Sequence, residues 1–181
     1  KGTRFGRQAQ EEAWQSGEVD TLYLLAAAGV RVPRPFGFMH GVVLMELLTD
    51  AHGDAAPRLN DVVLPEALAV EYHATMLREV VRMLCAGVIH GDLSEYNVLV
   101  TGEGPVIIDL PQVVSAAGNN AARDMLLRDV NNLRATLSRF APELMQTYYG
   151  EEMWALFERG ELRPDSPLTG KFVFKKNKAD V

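Results

Sequence analysis

The chain has 181 residues, 48% of them hydrophobic, which is enough to bury a substantial core. Its formal net charge of −6 argues against a broad nucleic-acid-binding surface, which would need clustered lysine and arginine, so we expect no direct nucleic-acid binding. With one cysteine and no apolar run of the roughly 18 residues that a membrane helix needs, the composition predicts a soluble, cytoplasmic protein without membrane association.

The first predicted element is a helix from about Gln8 to Ala28, because apolar residues such as Trp14 and Leu22 recur on one helical face. Gly29 follows as a plausible end of the helix. Glu18 lies four positions from both Trp14 and Leu22, so it shares their face and should point inward.

Two short apolar runs come next, at 36–39 and 42–47, and they flank the dipeptide His40-Gly41. A two-residue link of this kind between apolar runs predicts a β-hairpin. The segment 49–61 (TDAHGDAAPRLND) then reads as a connector, because its glycine, proline and aspartate residues interrupt any period.

A long helix is predicted from about Pro65 to Cys85, followed by Gly87 as its end. Its apolar residues repeat every four positions, at Tyr72, Met76, Val80 and Leu84. Because Cys85 lies on this mainly apolar helix, we expect it to be a core residue.

The segment VIHGDLSEYNVLV, residues 88–100, concentrates polar side chains just before a predicted strand. The strand continues into a hairpin with the tip TGEGP, and a turn centred on Glu103 would place Asn97 opposite Asp109. Asp92 would reach the same place from the preceding loop. Carboxylate and amide oxygens suit Mg²⁺, which usually keeps waters and substrate phosphates as its other ligands, so this group of residues predicts phosphoryl transfer.

These motifs resemble those of the RIO family of atypical kinases. The family marks HGDLSEYNVLV and IIDLPQ stand at 90–100 and 107–112, and the similarity extends over roughly residues 4 to 140. The spacing also fits the wider kinase pattern H-x-D-x-x-x-x-N followed by a metal-binding aspartate. The resemblance implies an α+β, protein kinase-like fold, with residues 1–48 as the remainder of an N-terminal lobe and residues 49–181 as a mainly helical C-terminal lobe.

The resemblance also implies roles for single residues in ATP-dependent phosphotransfer. Asp92 matches the catalytic aspartate, and Asn97 and Asp109 match the ligands of Mg²⁺ or Mn²⁺. Asp129 resembles a buried aspartate that braces the catalytic loop. The family's reported ATP hydrolysis passes through phosphorylation of its metal-binding aspartate, which would be Asp109 here.

A second set of positions is implied for nucleotide binding. Glu18 matches the helix glutamate that pairs with a strand lysine at the phosphates. Met45, Glu46 and Leu48 lie on the segment whose backbone meets adenine, and Ser94 stands where ordinary protein kinases often carry lysine.

The chain departs from the family at its start, where no glycine-rich phosphate loop and no strand lysine precede Glu18. We therefore expect the chain as given to be weakly active or inactive, although its motifs are those of a serine/threonine protein kinase or ATPase.

Two alternatives remain open. Small-molecule phosphotransferases of the aminoglycoside or choline kinase type share the H-G-D-x-x-x-x-N loop, although IIDLPQ favours the RIO family. A non-catalytic scaffold with the kinase fold is the other. The protein substrate is unknown, and a ribosome-associated partner is one possibility that the family suggests.

Overall fold

The computed structural model describes residues 17–110, 114–117 and 120–174. The described chain contains four α-helices: α1 (17–27), α2 (Glu66–Cys85), α3 (Ala122–Leu137) and α4 (Tyr149–Glu158). It also contains two short 3-10 helices, Leu59–Asp61 and Pro142–Gln146. Its six strands are β1 (Pro35–Met39), β2 (Val42–Met45), β3 (Val88–Ile89), β4 (Val98–Thr101), β5 (Gly104–Ile107) and β6 (Val114–Ser115). This mixed α/β architecture confirms the predicted fold class.

The strands form three separate antiparallel pairs, β1 with β2, β3 with β6, and β4 with β5. The predicted first hairpin is confirmed: His40 and Gly41 both have positive φ, 53° and 78°. Positive φ at both central residues is typical of the type I′ turn, whose twist matches that of the flanking strands.

Helices α2 and α3 pack against each other and form the centre of the core. The four-residue apolar repeat of α2 is confirmed, since Tyr72, Met76, Val80 and Leu84 are all buried. Helix α2 ends at Cys85, as predicted, but the Cys85 side chain is exposed rather than part of the core. The expected start of the first helix, from Gln8 to Ser16, lies outside the described residues.

The β4–β5 hairpin differs from the prediction by one residue. Thr101 pairs with Gly104 across a two-residue turn, so Val98 faces Ile107 and the partner of Asn97 is Ile108 instead of Asp109. Gly104, the first residue of β5, has a φ of 114°, a conformation that favours glycine directly after the turn. The paired strands end at Val98 and Ile107, so Asp109 lies beyond them.

The connector 49–61 runs beside β4. Thr49 and Ala55 form an isolated bridge, and Val100 donates its N–H to the Pro57 carbonyl at 2.8 Å. Within the described residues, no helix is long and apolar enough to cross a membrane. The division of the chain at residue 48 stays a prediction.

Candidate active site

The loop between β3 and β4, residues 90–97, is held from behind by Asp129 of α3. One carboxylate oxygen of Asp129 accepts the Gly91 N–H at 2.8 Å and the other accepts the Leu93 N–H at 2.9 Å. Asp129 is only 1% exposed, and burial raises the pKa of its carboxyl, while the two N–H donors act in the opposite direction. The predicted bracing role of Asp129 is confirmed by this geometry.

Two further residues of α3 hold the same loop through its carbonyl groups. The Arg128 guanidinium donates to the Gly91 carbonyl, and the Asn132 amide donates to the Leu93 carbonyl at 3.0 Å. The sequence reasoning did not find these two residues. Their i, i+4 spacing on the helix that carries Asp129 is the signal that could have shown them. Together these contacts satisfy both the N–H and the C=O groups of a buried turn.

His90 joins this loop to the end of β5. Its ring nitrogen Nε2 lies 3.1 Å from the Ile108 carbonyl oxygen, and Nδ1 accepts the Asp92 N–H at 3.3 Å. His90 is 2% exposed, so the ring acts as a buried link between the residue before Asp109 and the backbone of Asp92. The sequence alone indicated that Asp92 and Asp109 belong together, and His90 is the physical connection.

Asp92 and Asn97 lie at the two ends of a closed turn. The Asn97 side-chain amide donates to the Asp92 carbonyl at 2.8 Å, and the Asn97 N–H donates to the Ser94 carbonyl at 3.0 Å. The Asp92 side chain is exposed, and its carboxylate has no hydrogen-bond partner in the described part of the chain. A fixed backbone therefore presents a free carboxylate to solvent.

Asp109 follows β5 with a φ of 61°, a left-handed conformation that aspartate tolerates better than most residues. The preceding residue, Ile108, donates its N–H to the Asn97 carbonyl at 2.9 Å. Asp109 and Asn97 are thus neighbours through Ile108, although they are not directly paired across the hairpin as predicted. The Asp109 side chain is exposed at the mouth of a cavity.

This cavity has a volume of about 340 Å³. It collects five predicted site residues from distant parts of the chain: Glu18, Met45, Glu46, Leu48 and Asp109. Apolar side chains such as Leu22, Leu99 and Leu110 form much of the remaining wall. Asp92, Ser94 and Asn97 do not line the cavity but lie in the loop that His90 ties to its edge.

Glu18 is partly buried in the wall of this cavity, in line with the expected inward orientation. Burial first, and the nearby Asp109 carboxylate second, raise the pKa of Glu18 above its ordinary value. The carboxylates of Glu18 and Asp109 thus both line the cavity, and no arginine or lysine of the described residues forms an ion pair with either of them. A site of this kind favours a cation.

The segment after β2 is held by an ion pair that the sequence did not reveal. Arg31 donates to both carboxylate oxygens of Glu46, at 2.9 and 3.0 Å. The hydrogen bond from Arg31 is the main cause that lowers the pKa of Glu46, against the opposing effect of burial. Fifteen residues separate the two partners, and no local period links them.

The described residues contain no group of three or more histidine, cysteine, aspartate or glutamate side chains that could hold a metal ion by themselves. A site built from one carboxylate and one amide would need phosphates and waters as further ligands, as Mg²⁺ commonly has. The Asn97 amide nitrogen is used by Asp92, which leaves the amide oxygen for such a role.

Comparison with known proteins identifies the family. A family model described as RIO domain matches residues 1–149. The chain belongs to the RIO domain family. The loop 90–97 and the residues after β5 therefore belong to a RIO domain, as the motif resemblance predicted.

Curated relatives carry names of the same family. The RIO-type serine/threonine-protein kinase Rio1 of Haloferax volcanii is 39% identical over 122 residues, which cover 67% of this chain and 40% of the relative. The protein of the same name from Thermoplasma acidophilum is 32% identical over 130 residues, covering 72% of this chain and 66% of the relative. Human serine/threonine-protein kinase RIO1 is 30% identical over 135 residues, covering 74% of this chain and 23% of the relative. This chain thus spans less than two thirds of the length of these relatives.

The structure groups the predicted site residues of this RIO domain in two places, the cavity and the adjoining loop. The individual roles of Asp92, Asn97 and Asp109 stay predictions, as do those of Glu18 and Ser94. Residues 111 and 112, the end of the IIDLPQ motif, lie outside the described residues.

Proposed function

We propose that the protein is a RIO-type atypical serine/threonine kinase or ATPase of the cytoplasm, which transfers the γ-phosphoryl group of ATP to a hydroxyl or to water. The proposal rests on the loop 90–97, in which α3 and His90 fix the backbone around a free Asp92 carboxylate. The cavity beside it ends at Asp109, where the phosphates of a nucleotide would lie. The names of the relatives support the choice of reaction.

The adenine base would meet the segment that follows β2. The Glu46 N–H is already used by the Arg34 carbonyl at 2.8 Å, and the Leu48 carbonyl by the Ala56 N–H at 3.0 Å. The Glu46 carbonyl and the Leu48 N–H have no hydrogen-bond partner among the residues that the structure describes, and both residues line the cavity. One acceptor and one donor on alternate residues suit the edge of an adenine ring, with Met45 beside it.

Asp92 would orient the attacking hydroxyl and accept its proton. This role sets two conditions. The carboxylate must be free of other hydrogen bonds, and the backbone of Asp92 must be held in place. The turn closed by Asn97 supplies the second condition, because the Asp92 N–H and C=O are both engaged. Ser94 lies in this turn, at the position where ordinary protein kinases often carry a lysine.

Asp109 and the amide oxygen of Asn97 would hold the divalent ion. Held by these two residues, Mg²⁺ or Mn²⁺ would supply the positive charge that offsets the charge of the phosphates. Burial first and the Asp109 carboxylate second raise the pKa of Glu18, and the second effect reflects a negative charge at the cavity that a cation would offset. Asp109 and Asn97 are not equivalent in this site, since only the carboxylate contributes negative charge.

The test is Asp92→Asn in the full-length protein. The amide keeps the shape of the side chain but cannot accept a proton, so turnover should fall by about 10²-fold or more while ATP affinity stays within a few-fold of the parent. Turnover is measured by release of ADP, and affinity by calorimetry with Mg-ATP.

The matched control is Asp124→Asn, which changes an exposed carboxylate at the start of α3 whose ion pair within the described chain is with the neighbouring Arg123. This variant should keep parental turnover. If Asp92→Asn also stayed within about threefold of the parent, Asp92 would not be the catalytic base.

A further inference from the structure

The ladder between β1 and β2 ends in an unusual way at Arg34 and Glu46. These two residues lie directly beyond the paired residues Pro35 and Met45. In an antiparallel ladder, the residues of a hydrogen-bonded pair exchange two bonds, each from the N–H of one residue to the C=O of the other. Glu46 does donate its N–H to the Arg34 carbonyl, at 2.8 Å. The Arg34 N–H, however, goes to the Glu46 side chain, at 3.0 Å from Oε2. The Glu46 carboxylate thus replaces the Glu46 carbonyl in the ladder.

This replacement frees a backbone acceptor at the cavity. The next residue of β1 is Pro35, which has no N–H to offer, so the ladder cannot recapture the Glu46 carbonyl there. Glu46 lines the cavity. Its carbonyl is therefore available to a ligand only while its carboxylate occupies the Arg34 N–H.

Arg31 holds the carboxylate in that position. The guanidinium binds both oxygens of Glu46 as a fork, and one of its nitrogens also donates to the Val32 carbonyl at 3.1 Å. A two-point contact of this kind fixes the plane of the carboxylate as well as its distance, which a single donor would not do.

Arg31 is itself fixed to the core. Its backbone N–H donates to Glu79 of α2 at 2.7 Å, and Glu79 is only 4% exposed. Arg82 donates to the second oxygen of Glu79 at 2.8 Å and to the Gly29 carbonyl at 3.1 Å. The chain of contacts therefore runs from the buried face of α2 through Arg31 to Glu46 at the cavity.

We propose that Arg31 is a positioning residue that sets the preference of the site for a 6-amino purine over a 6-oxo purine. This inference rests on the proposed nucleotide-binding function. Through Arg31, the Glu46 carboxylate stays in the ladder and the Glu46 carbonyl stays free as an acceptor. The amino group of adenine donates to such an acceptor, whereas the carbonyl of hypoxanthine would face it with a second acceptor.

The experiment compares the affinities for ADP and inosine diphosphate, whose bases differ in the group at position 6 and in the proton on the adjacent N1. In the full-length protein, calorimetry should give an ADP preference of at least about tenfold, the value of one well-made hydrogen bond, because N1 also changes from an acceptor to a donor beside the Leu48 N–H. Arg31→Gln should lower that preference by about threefold or more, mainly through weaker ADP binding. Arg31→Lys, which keeps the charge but not the fork, should fall between the two.

The control is Arg159→Gln, which removes an arginine from an exposed ion pair with Glu161 outside the site and should keep the parental preference. The affinity for inosine diphosphate reports whether each variant keeps a formed site. Equal losses for both nucleotides in Arg31→Gln would make Arg31 merely structural and overturn the inference.

Two results separate the inference from the function on which it rests. A parent protein that binds neither nucleotide would contradict the proposed function itself. A parent that binds both equally, or an Arg31→Gln variant that keeps the parental preference, would overturn only the positioning role of Arg31.

Discussion

The two hairpins of this protein have the same local design but opposite environments. Both join two short antiparallel strands through two-residue turns. In β1–β2 the large apolar side chains are exposed, with Val42 at 66% and Leu44 at 64%. In β4–β5 they are buried, with Val98 and Ile107 both at 0%.

The difference lies in what packs behind each pair of strands. Strand β5 packs against α2, and the loop before β4 is held by α3. Within the described part of the chain, β1 and β2 pack mainly against each other, and Val43 is their one hydrophobic residue that packs against the main core. The turn sequence is therefore enough to form a hairpin, but burial determines how much the hairpin contributes to the stability of the folded protein. The loop 90–97, with the proposed catalytic residue Asp92, adjoins the buried hairpin, while the segment proposed to meet the adenine base adjoins the exposed one.

The largest expected effect comes from breaking the support of the loop before β4. Asp129→Ala would leave the buried N–H groups of Gly91 and Leu93 without their acceptor and should lower the free energy of unfolding by about 3–5 kcal/mol. Urea unfolding would measure it. Asp124→Ala, an exposed change on the same helix, should cost less than about 0.5 kcal/mol, and equal losses in the two variants would contradict the bracing role.

The next largest effect is the pH dependence of the unfolding free energy, which depends on a histidine buried in the core. His73 lies on α2, is 2% exposed, and contacts the Tyr149 ring edge-on. Burial, with a smaller contribution from Arg134, lowers the pKa of His73 to about 4. Because the unfolded chain binds a proton near pH 6.5 and the folded chain does not, stability should fall as pH falls from about 6.5 to 4, by about 3 kcal/mol in total.

The matched variant for this measurement is His73→Phe, which keeps an aromatic ring beside Tyr149 but cannot titrate. The difference in unfolding free energy between parent and variant should change with pH only in this window, in favour of the variant at the acid end. A difference that is constant from pH 7 to 4 would contradict the buried, neutral state of His73.

The smallest effect compares the two hairpins directly with one chemical change. Val98→Ala removes two methyl groups from a fully buried position of β4 and should cost about 2 kcal/mol. Val42→Ala, the same change on the exposed hairpin, should stay within about 0.5 kcal/mol of the parent. Thermal unfolding of both variants would decide, and similar losses would mean that the face of β1–β2 is covered in the folded protein.

The sequence by itself determined the features that depend on neighbouring residues. The His40-Gly41 turn, the bounds and apolar face of α2, and the loop motif that begins at His90 all follow from patterns within a few positions. The brace at Asp129 followed from family resemblance and is confirmed by its two hydrogen bonds. Such features are readable because their physical causes, turn conformation and helical period, are local.

Only the tertiary structure decided the register of β4–β5 and the contacts of Glu46. The register depends on whether the turn contains two or three residues. The Thr101 hydroxyl donates to the Gly104 carbonyl at 2.8 Å and so closes the turn at two residues. The contacts of Glu46 depend on Arg31, fifteen positions earlier, and through Arg31 on Glu79, which lies 48 positions after Arg31. No periodicity encodes such pairs, because they form only when separate elements pack against one core.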